Sequence, residues 1–187
     1  AKESDIEATV KGVTEAFGRL DILVNNVAIS DNKHMLDITT EEWNRTIAIT
    51  LTAPFLFGKH AAKAMIAAGN GGKIVNVSST SGYYGRNRAV AYTAAKGGVV
   101  NLTRSMAIQL APHKIRVNSV VPNKIGSPVG KEEFDPTRPV KNLVDRPGVP
   151  IDLANAILFL VSDDSSFIVG SDLFVDGGCA TLMPGNE

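Results

Sequence analysis

The chain has 187 residues, 44% of them apolar and 20% charged, which are the proportions of one globular domain with a sizeable core. Nineteen basic side chains balance nineteen acidic ones, so nothing in the charge favours nucleic acid or an anionic membrane as a partner. Cys179 is the only cysteine, which excludes an intramolecular disulfide and a multi-thiolate metal site.

No apolar run approaches the roughly 20 residues of a membrane span, and Ala1–Asp5 lacks a signal-peptide pattern. A cytoplasmic protein is the expectation. The sequence opens without methionine in what reads as the middle of an element, and an N-terminally incomplete chain is expected.

In chain order, Ile6, Val10, Val13 and Phe17 recur at helical spacing, and Gly18 ends that helix. Asp21 to Asn25 is a short buried-type strand. Thr39 or Thr40 with Glu42 signals a helix start, and the helix continues to about Ala68, bent at Pro54 and closed by Gly69–Gly72. Lys73 to Ser79 reads as a strand, Ala89 to Leu110 as a long helix stopped by Pro112, and Ile115 to Val121 as a strand. A helix over Ile151–Val161 and a short strand over Asp172–Asp176 complete the alternation. Residues 123–150, rich in Pro, Gly and charge, read as a long functional loop. Strands alternating with helices predict an α/β fold with a doubly wound parallel sheet, whose ligands lie beyond the strands' C-terminal ends. The chain is read as one domain, 1–187.

Tyr92 and Lys96 are four apart, on one face of a predicted helix. A phenol is a poor base at neutral pH, and a neighbouring ammonium favours its ionised form. The pair therefore suits proton exchange with an alcohol or ketone. Ser79, thirteen residues upstream at a predicted strand end, could bond the same substrate oxygen. The three histidines, His34, His60 and His113, show no metal-ligand spacing and read as surface or packing residues. Tyr83, Tyr84 and Arg86, just after Ser79, are candidates for substrate contact.

The ordered blocks Ile74-Val75-Asn76-Val77-Ser78-Ser79, Gly82 and Tyr92-Thr93-Ala94-Ala95-Lys96-Gly97 resemble the active-site segment of the short-chain dehydrogenase/reductase family. Asp21-Ile22-Leu23-Val24-Asn25-Asn26, Arg116-Val117-Asn118 through Pro122, and Leu173 to Gly178 resemble further segments of that family in the same order. The resemblance implies a Rossmann-like fold and an enzyme that interconverts a secondary alcohol and a ketone with NAD or NADP. It implies Tyr92 as acid/base, Lys96 as the group that lowers its pKa and holds the nicotinamide ribose, and Ser79 as the residue that orients the substrate oxygen. It further implies Asn25 against the adenosine-side ribose, Pro122 and Ile125 beside the carboxamide, Ser127 near it, and a substrate lid over about 123–150 in which Phe134 and Leu143 could close. A homodimer or homotetramer through the helices near 41–68 and 90–110 is implied as well.

The sequence departs from that pattern at several points. No Gly-rich strand–turn–helix precedes the first predicted helix, and by the family's usual length about 60 to 70 residues of an ordinary domain are absent. Thr50 stands where the family's catalytic tetrad usually has asparagine, so an altered proton relay is expected, with the threonine hydroxyl bonded to its own helix. Val27-Ala28 and Asn123 replace small residues near the expected cofactor. A cofactor-free pseudoenzyme or interaction module is thus an alternative. A lyase-like relative is another, against which Lys96 argues.

Overall fold

The computed structural model describes residues 2–126 and 141–182. The chain order is α1 (Glu3–Phe17), β1 (Ile22–Asn25), α2 (Thr40–Ile47), a π-helical turn (Ala48–Thr52), α3 (Ala53–Ala68), β2 (Gly72–Val77), α4 (Val90–Leu110), β3 (Ile115–Pro122), α5 (Pro150–Val161) and β4 (Asp172–Val175). Four parallel strands pair in the order β1-β2-β3-β4. The alternation of strand and helix forces this arrangement, because a parallel neighbour can be reached only by a crossover.

Each face of the sheet carries its own core. On one side Ala61 and Met65 of α3 and Ala107 of α4 pack on Ile74, Ile115 and Val117. On the other, Leu160 of α5 packs on Val75, Val77 and Val120, with Ile157 and Leu153 beside it. Fully burying such a side chain contributes about 1.5–3 kcal/mol. Ile22 and Val24 of β1, on the α5 side, are exposed. No helix among the described residues is long and apolar enough to cross a membrane.

The largest difference from the sequence reading lies in the segment from 39 to 68. Its start is as expected, a capping box in which Thr39 Oγ1 accepts from the Glu42 N–H at 3.2 Å and Glu42 Oε2 accepts from the Thr39 N–H at 2.9 Å. The helix is not simply bent at Pro54. It widens into a π turn in which the Ala53 N–H reaches back to the Ala48 carbonyl. Pro54 has no N–H for the Thr50 carbonyl and its ring would crowd that group, so an extra residue in the preceding turn relieves both conflicts. The other boundaries move by a residue or two; Gly72, expected to close a helix, opens β2.

Candidate active site

The C-terminal ends of the strands open on a cavity of about 810 Å³. Asn26 follows β1 into it, Ser78 and Ser79 follow β2, and Pro122 and Asn123 end β3. Tyr92 and Lys96 of α4 form its wall, both buried. This is where a doubly wound sheet binds ligands.

The position of α4 is fixed by its neighbours. Ser79 is extended, and its Oγ accepts from the Ser81 N–H at 3.1 Å, starting a short 3₁₀ turn over Thr80–Gly82. That turn lies directly on α4: a Cβ at Gly82 would stand 2.8 Å from the Lys96 carbonyl oxygen, which only glycine avoids. Ser78 Oγ donates to the same carbonyl at 3.3 Å. At the start of α4, Ala89 adopts a left-handed backbone (φ 67°) and donates its N–H to the Lys33 carbonyl at 2.8 Å. Asp31 Oδ1 accepts from the Tyr92 N–H at 3.1 Å, capping the helix from 61 residues away.

The Ser79 side chain lies close enough to the Tyr92 phenol to favour its ionised form. Two cations approach the ring of Tyr92, with Lys96 Nζ 5.7 Å and Arg86 Cζ 5.8 Å from its centroid. Burial pushes the phenol above its ordinary pKa, while the Ser79 side chain and the Arg86 charge pull it back. The sequence reading assigned that pull to Lys96. Instead the Lys96 ammonium is itself held down to about 8 by burial and donates to the Val77 carbonyl at 2.5 Å.

Thr50 requires a correction. Its hydroxyl does not bond its own helix. It donates to the Ile29 carbonyl and accepts from the Ile29 N–H, both at 3.1 Å, fully buried behind the cavity. The π turn aims it there, so Thr50 pins the loop that follows β1. Thr50→Val keeps the shape and orphans both Ile29 groups. A loss of about 1–3 kcal/mol is expected, read from the urea midpoint at unchanged m-value.

Asn25 is likewise turned inward. Its Nδ2 donates to Asn76 Oδ1 at 2.8 Å and to the Pro54 carbonyl at 3.3 Å. Asn76 Nδ2 in turn donates to Thr103 Oγ1 at 2.9 Å, so a buried polar ladder ties β1 and β2 to α4. Asn26 lines the cavity in its place. Pro122 and Ile125 line it as expected, and Ile125 is bridged to Gly148. Ser127 and Phe134 lie outside the described residues. Leu143 is exposed but packs where a Cβ on Gly178 would fall.

Of the three residues singled out after Ser79, Tyr84 and Arg86 line the cavity, and Tyr84 Oη donates to the Ala180 carbonyl at 3.2 Å. Tyr83 does not line the cavity and packs at a tilt against Phe174, 5.1 Å between centroids, with burial pushing its phenol up to about 12. Cys179 accepts from Asn123 Nδ2 at 2.8 Å and also lines the cavity. His60 is buried and bonded to Glu3 at 2.9 Å, a packing role. No metal-binding cluster occurs among the described residues.

Residues 1–180 match the family model described as Enoyl-(Acyl carrier protein) reductase. The chain belongs to the short-chain dehydrogenase/reductase family. It is 43% identical to trans-4-hydroxycyclohexanecarboxylate dehydrogenase of Sinomonas cyclohexanicum over 174 residues, 91% of this chain and 64% of that protein. It is 42% identical to cyclopentanol dehydrogenase of Comamonas testosteroni over 165 residues, 86% of this chain and 66% of that one. The crystal structure of acetoin dehydrogenase from Salmonella typhimurium superposes with a TM-score of 0.87 at 31% identity, covering 96% of this chain and 72% of that chain. The chain thus spans about two thirds of the length of these dehydrogenases.

Proposed function

We propose that the complete protein is an NAD(P)-dependent oxidoreductase that interconverts a secondary alcohol and a ketone, with Tyr92 as its acid/base. The carrying observation is the Tyr92 phenol, set beside Ser79 and flanked by Lys96, in a cavity beyond the strand ends. A substrate hydroxyl takes its place beside both oxygens. In oxidation Tyr92 accepts the hydroxyl proton as the carbon gives up its hydride and C=O forms; in reduction it returns the proton.

The residues present fit a nicotinamide dinucleotide. Lys96 carries three N–H donors, and among the described residues it spends one, on Val77. Two are left at the edge of the cavity, matched to a ribose diol. Pro122 and Ile125 would border the ring end, and Asn26 lines the same cavity. When bound, the cofactor supplies the hydride acceptor or donor. Asn25 and Thr50 act behind these groups, the first holding the sheet to α4, the second holding the loop.

Ring-borne secondary alcohols are the substrate class this reading favours, since two of the relatives are named for them. Self-association through α3 and α4, where Phe55, Ile66 and Ile108 are exposed, belongs to the same proposal. The test is a nicotinamide absorbance assay of the complete protein with cyclohexanol, cyclopentanol and acetoin, each with NAD and NADP. Turnover of at least one is expected. No turnover together with no nucleotide binding by calorimetry would reject the reading in favour of an interaction module.

A further inference from the structure

The ionic character of the cavity narrows the substrate further. Among the described residues, every charged side chain that lines it is basic: Lys96, Arg86, Arg88 and Lys124. Lys96 is turned to the Val77 carbonyl and sits in the position that suits the cofactor. Arg86 and Arg88 line the cavity from the loop between the Ser79 turn and α4. Three other arginines are ion-paired, Arg19 with Asp21, Arg104 with Asp172 and Arg146 with Asp152. Arg86 and Arg88 form no ion pair among the described residues. Asp31 points its Oδ1 at the first turn of α4 and does not line the cavity.

Arg86 is also placed over the reacting group, its guanidinium 5.8 Å from the centroid of the Tyr92 ring. A molecule with its carbinol oxygen at Tyr92 and Ser79 extends past this guanidinium. A planar fork of donors matches a carboxylate with two parallel hydrogen bonds. We propose that the substrate is a hydroxy acid or oxo acid whose carboxylate is held by Arg86, with Arg88 adding attraction from the same loop. This rests on the oxidoreductase reading above and specifies what that site takes.

The experiment compares 4-oxocyclohexanecarboxylate with its neutral methyl ester in the complete protein, by kcat/KM and by calorimetric affinity in the presence of cofactor. Wild type is expected to prefer the acid. Arg86→Met is expected to lower the acid-to-ester ratio by about tenfold, the size of a charge-assisted contact at a solvent-reached site. Arg86→Lys recovers part of that ratio, because the charge returns without the fork. Because Arg86 also acts on Tyr92, both substrates lose some rate in the variants, and only the ratio reads the carboxylate. An unchanged ratio overturns the proposal. So does a fall in cofactor affinity as large as the fall for the acid, since Arg86 would then hold the dinucleotide. Failure of both compounds to turn over counts against the oxidoreductase reading, while the calorimetric ratio still decides the role of Arg86.

Discussion

Tyr92→Phe is expected to lower kcat by about a thousandfold, within the range general acid–base catalysis contributes, while leaving KM nearly unchanged. The ring remains to fill its buried place between Ser79 and Lys96, so the fold and the substrate's surroundings persist. Only the oxygen that exchanges the proton is removed. In wild type, oxidation should rise with pH as the phenol ionises. That limb lies on the alkaline side because burial outweighs Ser79 and Arg86. In the phenylalanine variant the limb disappears, and in Arg86→Met it moves further alkaline. Steady-state rates across pH in the complete protein check all three. A loss of less than about tenfold in Tyr92→Phe, with its circular dichroism intact, would place the proton transfer on another group.

Lys96→Met should separate activity from stability. The methionine fills the space but offers nothing to a ribose, and kcat/KM is expected to fall about a hundredfold, most of it through cofactor KM. Its effect on folding runs the other way with pH. Burial holds the folded Lys96 pKa down to about 8, below the unfolded value. The protonated form is therefore penalised in the fold, and below about 8 that penalty is constant. Between about 8 and 10.5 the native state gives up the proton while the unfolded chain keeps it, so wild type gains stability with rising pH. The gain is roughly 3 kcal/mol. Lys96→Met lacks this slope. Urea midpoints of both proteins from pH 7 to 10.5 should therefore diverge in favour of wild type above pH 8, and parallel curves would mean that the folded Lys96 titrates normally.

The sheet and most of its helices were legible because local patterns sufficed. Apolar runs bounded by glycine or proline mark β1, β2 and β3, and four-residue spacing places Tyr92 and Lys96 on one face of α4. Ser79 was legible because strand ends are where such sheets bind. What escaped depends on neighbours remote in sequence. Asn25 reads as a cofactor contact until the register sets it opposite Asn76, whose oxygen takes its amide. Asp31 carries no sequence mark of a helix cap, since the helix it caps begins 59 residues later. Thr50 was expected to bond within its helix, the usual habit of a threonine there; the π turn redirected it to Ile29. Proline 54 was the available clue to that turn, although a kink satisfies the same proline equally well on sequence grounds.

The π turn at Ala48–Thr52 also amounts to one residue more than a continuous α-helix would hold. Each residue turns a helix by about 100°. The wide turn absorbs nearly that angle, so removing one residue between 48 and 52 would close it into ordinary helix with the flanking turns still in phase. Ala61 and Met65 would still face the sheet, but the Thr50 hydroxyl would lose its aim at Ile29 and the Pro54 ring would crowd a carbonyl again. Substitution within this stretch is a matter of side-chain fit, but its length is set by the aim of Thr50 and the ring of Pro54. The chain can vary what it spells here far more readily than how many letters it uses.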